Sequence, residues 1–246
     1  MTEEKIEIEG GIVNKYVLSG SVPLDNYLEC LENKAVFNSG ILPENVFAVR
    51  KTARATTYAI YIEPKMWDIR YAPCPPNELA GDDDPMIEDI SVPMPGCVLI
   101  ISCTDSGAID PQYARTQTNS AVLGAVRKRP NNLNERLSYV YLPNIYSESL
   151  KICSGTGEDQ LRAKTDRELI KRYIARLHTT VWNHDIAMNL SCLRDHMQEH
   201  DIHAFESLVE IANELGGPDN VVSSFTFTDT LSVKDAMVFQ TSNDGS

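Results

Sequence analysis

The sequence predicts an α+β protein. Three observations carry that expectation. Apolar residues recur at every second position between Val46 and Tyr71, they recur at helical spacing after Thr165, and proline and glycine clusters punctuate the chain. Alternation of period two belongs to strands with one buried face, and an i, i+3, i+4 stripe belongs to helices laid on a core. Strands come first and helices second, which is the order of segregated layers.

The elements follow in chain order. Ile6 and Ile8 alternate with glutamates, as in a first strand or lead-in. Leu24, Tyr27, Leu28 and Leu31 make a short helical stripe after Pro23. Val46, Ala48 and Arg50 then open a strand, and Thr57 to Ile62 is rich in β-branched and aromatic residues. Glu63-Pro64-Lys65 interrupts the pattern before Trp67, Ile69 and Tyr71 resume it. Together these predict an antiparallel meander with short turns. Ala72 to Pro95 holds six prolines and the run Asp82-Asp83-Asp84, and reads as one long loop. Cys97 to Ser102 is a buried strand by composition. Residues 104–135 are polar and ambiguous, with Arg127-Lys128-Arg129-Pro130 as a solvated turn. Leu137 to Leu142 reads as a further strand, and Pro143 to Gly157 as loop.

Helices dominate the last third. Thr165-Asp-Arg-Glu168 has the form of a capping box, and Leu169, Ile170, Tyr173, Ile174 and Leu177 follow on one face. A second helix is predicted from about Asp185 to Leu215, stopped by Gly216-Gly217-Pro218. Phe225, Phe227, Leu231 and Val233 alternate weakly, and residues after Thr241 read as frayed. The expected organisation is a lead-in over 1–41, a domain over 42–184, a long helix over 185–218 packed on it, and a partly ordered tail over 219–246.

Composition narrows the function classes. The 246 residues hold 22 Lys and Arg against 35 Asp and Glu, a net charge of -13. That balance opposes nucleic-acid binding, which rests on neutralising phosphates, and docking on anionic lipid. The most apolar run, about Cys97 to Ile101, is too short to span a bilayer. Met1-Thr-Glu-Glu-Lys has neither a basic nor an apolar signal region, so the expected compartment is the cytoplasm. The six cysteines, at 30, 74, 97, 103, 153 and 192, show no C-x-x-C pair. Reduced thiols are expected, without a disulfide framework or a zinc finger.

Of these thiols, Cys97, Cys103 and Cys192 lie in apolar patterns and are expected to be buried. Cys153 has the most polar surroundings, beside Lys151 and before Ser154-Gly-Thr-Gly157. Acyl transfer on a thiol needs partial exposure and a nearby polar donor for the oxyanion. His184 is a candidate general base, although Trp182 near it suggests packing. A competing constellation is His196-Met-Gln-Glu-His200, which has the H-x-x-E-H form of an inverted zinc-protease motif. His196 and His200 would share one helix face as metal ligands, with Glu199 as base and Glu206 or Glu210 as a further oxygen ligand. A merely solvated histidine face explains the same residues. The chain has no P-loop, no G-x-S-x-G elbow and no G-x-G-x-x-G after a strand.

The segment Tyr141-Leu-Pro-Asn-Ile-Tyr-Ser-Glu-Ser-Leu-Lys-Ile-Cys-Ser-Gly155 resembles the active-site stretch of ubiquitin-conjugating enzymes. Pro143, Asn144, Ile145, Ile152 and Cys153 match that family's Pro-Asn-Ile turn and Ile-Cys pair. Leu142 stands where the family has histidine, and the interval from asparagine to cysteine is one residue longer. The bacterial branch found in the PRTRC cassette is closer. Its pattern is similar to Val46–Tyr71, Pro93-Met-Pro-Gly-Cys-Val-Leu-Ile-Ile101, Asn144-Ile-Tyr146, Ile152-Cys-Ser-Gly155 and Thr179-Thr-Val-Trp-Asn-His184. The resemblance covers roughly residues 42–190 in short pieces.

It implies a UBC-like antiparallel meander with flanking helices, to which the long helix is an extra C-terminal element. It also implies a ubiquitin-like modifier held as a thioester on Cys153, delivered by a ThiF-type activating enzyme. Asn144 would support the oxyanion, and Tyr146, Ser154, Gly155 and Thr156 would shape the site. The carrier itself would need no cofactor. The same fold without catalysis would be a binding or scaffold module for the ubiquitin-like protein.

Overall fold

The computed structural model describes residues 3–9, 12–18, 45–52, 55–72, 87–105, 115–117, 121–153, 161–183, 214, 220 and 227–242. The chain divides into two units, Met1–Gly40 and Ile41–Ser246. In the first, strands β1 (Glu3–Glu9) and β2 (Ile12–Leu18) pair antiparallel, Glu3 opposite Leu18 and Glu9 opposite Ile12.

The second unit is a mixed α+β fold with an antiparallel sheet at its core and helices on its flanks. Its strands begin with β3 (Val46–Lys51), β4 (Thr56–Ile62), β5 (Lys65–Tyr71), β6 (Glu88–Met94) and β7 (Cys97–Asp105). Shorter strands follow: β8 (Arg115–Gln117), β9 (Val122–Ala125), β10 (Arg136–Leu137) and β11 (Arg162–Ala163). Helix α1 (Asp166–Thr179), β12 (Val181–Trp182), β13 (Leu231–Ser232) and helix α2 (Val233–Ser242) complete it.

β7 is the axis of the main sheet. β4 runs antiparallel along one edge of it, Thr56 opposite Cys103 and Ile62 opposite Cys97. β9 and β8 share the other edge, pairing with Cys97–Ile100 and Cys103–Asp105. β3 lies outside β4, and β11 outside β8. Every residue from Cys97 to Cys103 is buried, as a strand covered on both faces requires.

β4 and β5 are consecutive yet do not pair. β5 instead turns into a second sheet between β6 and β12. In β5 the side chains of Trp67, Ile69 and Tyr71 are buried, whereas Asp68 and Arg70 between them are exposed. The sequence pattern identified the three strands from Val46 to Tyr71 but not this change of partner. Pairing depends on which edges are free, and alternation carries no record of that.

Two other expectations are corrected, and the tail, expected to be partly ordered, holds a helix. Pro93 lies within β6, inside the stretch read as loop, opposite Met66. A proline is tolerated there because β6 has one neighbour among the described residues, so the missing N–H can face away from the ladder. The expected strand over Leu137–Leu142 pairs only at its start. Arg136 and Leu137 face β13, Ser138 bridges Ala125, and Tyr139 to Leu142 run on as buried irregular chain. The tail contains α2, which packs on β4 and β7. Ser232 caps it, its hydroxyl accepting from Asp235 N–H at 3.1 Å and donating to the Asp235 carboxylate at 2.6 Å.

The capping box of α1 is present in shifted form. Glu168 N–H donates to Thr165 Oγ1 at 3.2 Å, and the Glu168 carboxylate reaches back to Lys164 N–H at 3.0 Å. Leu169, Ile170, Tyr173 and Leu177 are buried, with Ile174 half-buried, so the predicted apolar face is the packed one. The helical stripe at 24–31, the aspartates 82–84 and the helix predicted over 185–215 lie outside the described residues, apart from helical Glu214.

Gly124 in β9 packs against the segment that leads to the cysteine hairpin. A Cβ there would lie 2.9 Å from Leu137 Cβ and 3.0 Å from Leu150 Cδ1. Gly124→Ala is therefore expected to destabilise the fold by about 1–3 kcal/mol through overpacking. Urea unfolding with an unaltered slope and a lower midpoint is the expected result. An unmoved midpoint would mean that the two leucines give way without strain.

Candidate functional site

The chain from Leu142 to Cys153 forms a tight hairpin against the open end of β9. Ile152 N–H donates to Ala121 C=O at 2.8 Å, and Leu123 N–H to Leu150 C=O at 2.9 Å. Within the hairpin Ile145 lies opposite Ile152, and both are buried. The flanking backbone bonds run from Cys153 N–H to Asn144 C=O at 2.7 Å and from Tyr146 N–H to Lys151 C=O at 3.0 Å. Asn144 therefore stands directly across the ladder from Cys153, and the intervening turn at 147–149 absorbs the extra residue. Side chains alternate between faces. Ile145 and Ile152 point into the core, while Tyr146 stays 47% exposed and Cys153 half-buried.

The turn is conformationally costly. Asn144 (φ 58) and Leu150 (φ 55) are two of the three non-glycine residues with positive φ among the described residues. Asparagine accepts this region readily and leucine does not. Leu150 is held there by complete burial and by its N–H bond to Tyr146 C=O at 2.7 Å. Strain of this kind persists only where packing over-determines it, and it concentrates at functional sites.

Asn144 is buried, and its amide Nδ2 donates to Asn183 Oδ1 at 2.7 Å. Its own Oδ1 is buried without a hydrogen-bond partner among the described residues. An orphaned polar atom in a sheltered place is unusual and costs about 1–3 kcal/mol. Asn183 follows β12, which runs parallel to β5, with Ala72 N–H donating to Trp182 C=O at 2.8 Å. The indole of Trp182 donates to Leu177 C=O at 3.0 Å, tying this strand to the last turn of α1.

The three described cysteines differ in character. Burial pushes the Cys97 thiol far above its usual range. Cys103 is pushed up to about 12, first by burial and then by the Asp166 carboxylate, with Arg115 opposing. Neither is a nucleophile near neutral pH. Cys153 is the partly exposed thiol, and the phenol of Tyr146 stands against it. The charge of the Cys153 sulfur, followed by a hydrogen bond to it, raises the Tyr146 pKa above its usual value. A pocket of about 20 Å³ opens beside Cys153, walled by Ile152 and by Tyr173, Arg176 and Leu177 of α1. That is room for roughly one water-sized group.

Asn144, Tyr146 and Cys153 thus come together. Ser154, Gly155, Thr156 and His184 lie outside the described residues, as do Cys30, Cys74 and Cys192. So do His196, Glu199, His200, Glu206 and Glu210. Among the described residues no group of three His, Cys, Asp or Glu side chains could hold a metal ion. No helix among them is long and apolar enough to cross a membrane. Asn183 was not identified from the sequence. It lies within the Thr179–His184 segment of the resemblance but was given no role there, and the return of β12 beside β5 brings it to Asn144.

No family model, no curated protein and no solved structure matches this chain.

Alkylation of the folded protein followed by peptide mapping is expected to modify Cys153 before Cys97 and Cys103, which should react only on unfolding. Cys153→Ala removes the charge that raises the Tyr146 pKa, so phenolate should appear at lower pH in a ring-carbon NMR titration. An unchanged Tyr146 titration would separate the phenol from the sulfur.

Proposed function

We propose that this chain is a cysteine carrier of the ubiquitin-conjugating type. Cys153 takes a ubiquitin-like C-terminus from a ThiF-type activating enzyme and passes it on. The observation that carries this reading is the backbone pairing of Asn144 with a half-buried Cys153 across the strained hairpin. The strand order supports it as well. β3, β4, β7 and β9 are neighbours in that sequence, and the β5–β6 hairpin is an insertion between the second and third of them. The asparagine turn, the cysteine and helix α1 then follow, in the order that the resemblance implies.

The step is a transthioesterification. The Cys153 thiolate attacks the carbonyl of the donor thioester, the new C–S bond forms, the old one breaks, and the departing thiolate takes up the proton. The tetrahedral oxyanion needs a donor, and the proposal gives that role to the side-chain amide of Asn144, whose backbone pairs with that of Cys153. Tyr146 stands against the thiol and, protonated, serves as a second donor.

A non-catalytic binding module is the second reading. One observation favours it: the side-chain amide of Asn144 already donates one of its N–H groups to Asn183.

Incubation with a ThiF-type enzyme, its ubiquitin-like protein and ATP, followed by a non-reducing gel, tests both. A thiol-sensitive adduct absent from Cys153→Ala is the expected result. Asn144→Ala is expected to slow formation of that adduct by roughly 100- to 1,000-fold, the effect of losing one oxyanion donor. If an active donor yields no adduct, the carrier reading fails and the binding module stands.

A further inference from the structure

A second cavity lies at the β4–β5 turn and shares no lining residue with the pocket at Cys153. Its volume is about 470 Å³, within the range of small-molecule sites. Lys65 and Arg129 bring two cations to it, and Glu63 one carboxylate. Among the described lining residues, cations thus outnumber carboxylates in a chain whose net charge is -13.

The frame is built. Tyr61 N–H donates to Asn45 C=O at 2.8 Å, which fixes the Asn45 side of the cleft to β4. The Arg129 guanidinium lies 5.8 Å from the Tyr61 ring centroid, and that stacking holds it at the rim. Gly96 lets the ring in, since a Cβ there would meet Tyr61 Oη at 3.0 Å. Burial first, and then Glu63, raises the Tyr61 pKa, so its hydroxyl remains a donor at neutral pH. Ile62 and Ile174 supply apolar wall.

We propose that this cleft binds an organic monocarboxylate carrying an apolar group. Arg129 and Lys65 take the carboxylate, Asn45 and the Tyr61 hydroxyl supply neutral hydrogen bonds, and the isoleucines cover the apolar part. Glu63 faces the same space and repels a second negative charge, which selects against dicarboxylates. The chemistry fits a free short-chain acid and the C-terminus of a peptide equally. This proposal is independent of the reading of Cys153.

The test is calorimetric titration of the full chain with 4-methylpentanoate and with N-acetyl-alanyl-leucine, beside the C-terminal amide of the latter. Saturable binding of either acid with the amide silent supports the site, and the tighter acid identifies the source. Lys65→Gln and Arg129→Gln should each weaken binding by roughly tenfold, as loss of a charged hydrogen-bond partner does. Added salt should weaken it further. Absence of binding by both acids, or equal binding of the amide by the native chain, overturns the proposal even if a variant fails to fold.

Discussion

The carboxylate of Asp166 is the joint on which the main unit turns. Asp166 is the first residue of α1, and it receives the Tyr58 hydroxyl from β4 and the Arg115 guanidinium from β8. The Cys103 thiol of β7 donates to it at 3.3 Å. One side chain therefore fastens the helix to three strands of the sheet. Its position in the first turn places negative charge where the helix dipole favours it. Shelter strengthens the arrangement: the Arg115 and Asp166 side chains are only 16% and 19% exposed. Burial and the neighbouring carboxylate together push the Tyr58 pKa well up, so that the phenol stays a donor.

What happens at the far end of α1 depends on that joint. The helix ends at Thr179, and the chain turns directly into β12. Trp182 is then pinned to Leu177, and Asn183 comes to rest on Asn144. The same helix contributes Tyr173, Arg176 and Leu177 to the wall beside Cys153. The hairpin has a second support from below, where Leu150 and Ile152 bond to the strand β9 and its lead-in. Its strained backbone is held from the sheet side, and its asparagine from the helix side.

Some of this was legible in the sequence. Helix α1 announced itself through Thr165, Glu168 and a clean apolar stripe, because a helix carries its own cap and its own period. The burial of Cys97 and Cys103 and the exposure of Cys153 followed from local polarity. Pairing was less accessible. The run from Leu137 to Leu142 has strand composition, yet burial on all sides gives the same pattern as a strand. Pro93 reads as a breaker unless the strand is known to be an edge. α2 was hidden by the alternation of Phe225, Phe227, Leu231 and Val233, although Ser232 and Asp235 carry the spacing of a capping box. The contact of Asn183 with Asn144 spans 39 positions and rests on tertiary closure, which no local pattern encodes.

The proline in β6 has a consequence for how these molecules meet one another. A strand with one neighbour offers its outer hydrogen-bonding groups to any extended chain that drifts alongside. β6 has one neighbour among the described residues; its buried Pro93 has no N–H to give, and its exposed start at Glu88 and Asp89 adds two carboxylates that an identical edge would repel. Among the described residues the outer edge of β6 is therefore set against pairing with its own kind by the chain's composition. An edge of this composition disfavours strand-to-strand pairing of two copies into a continuous ribbon.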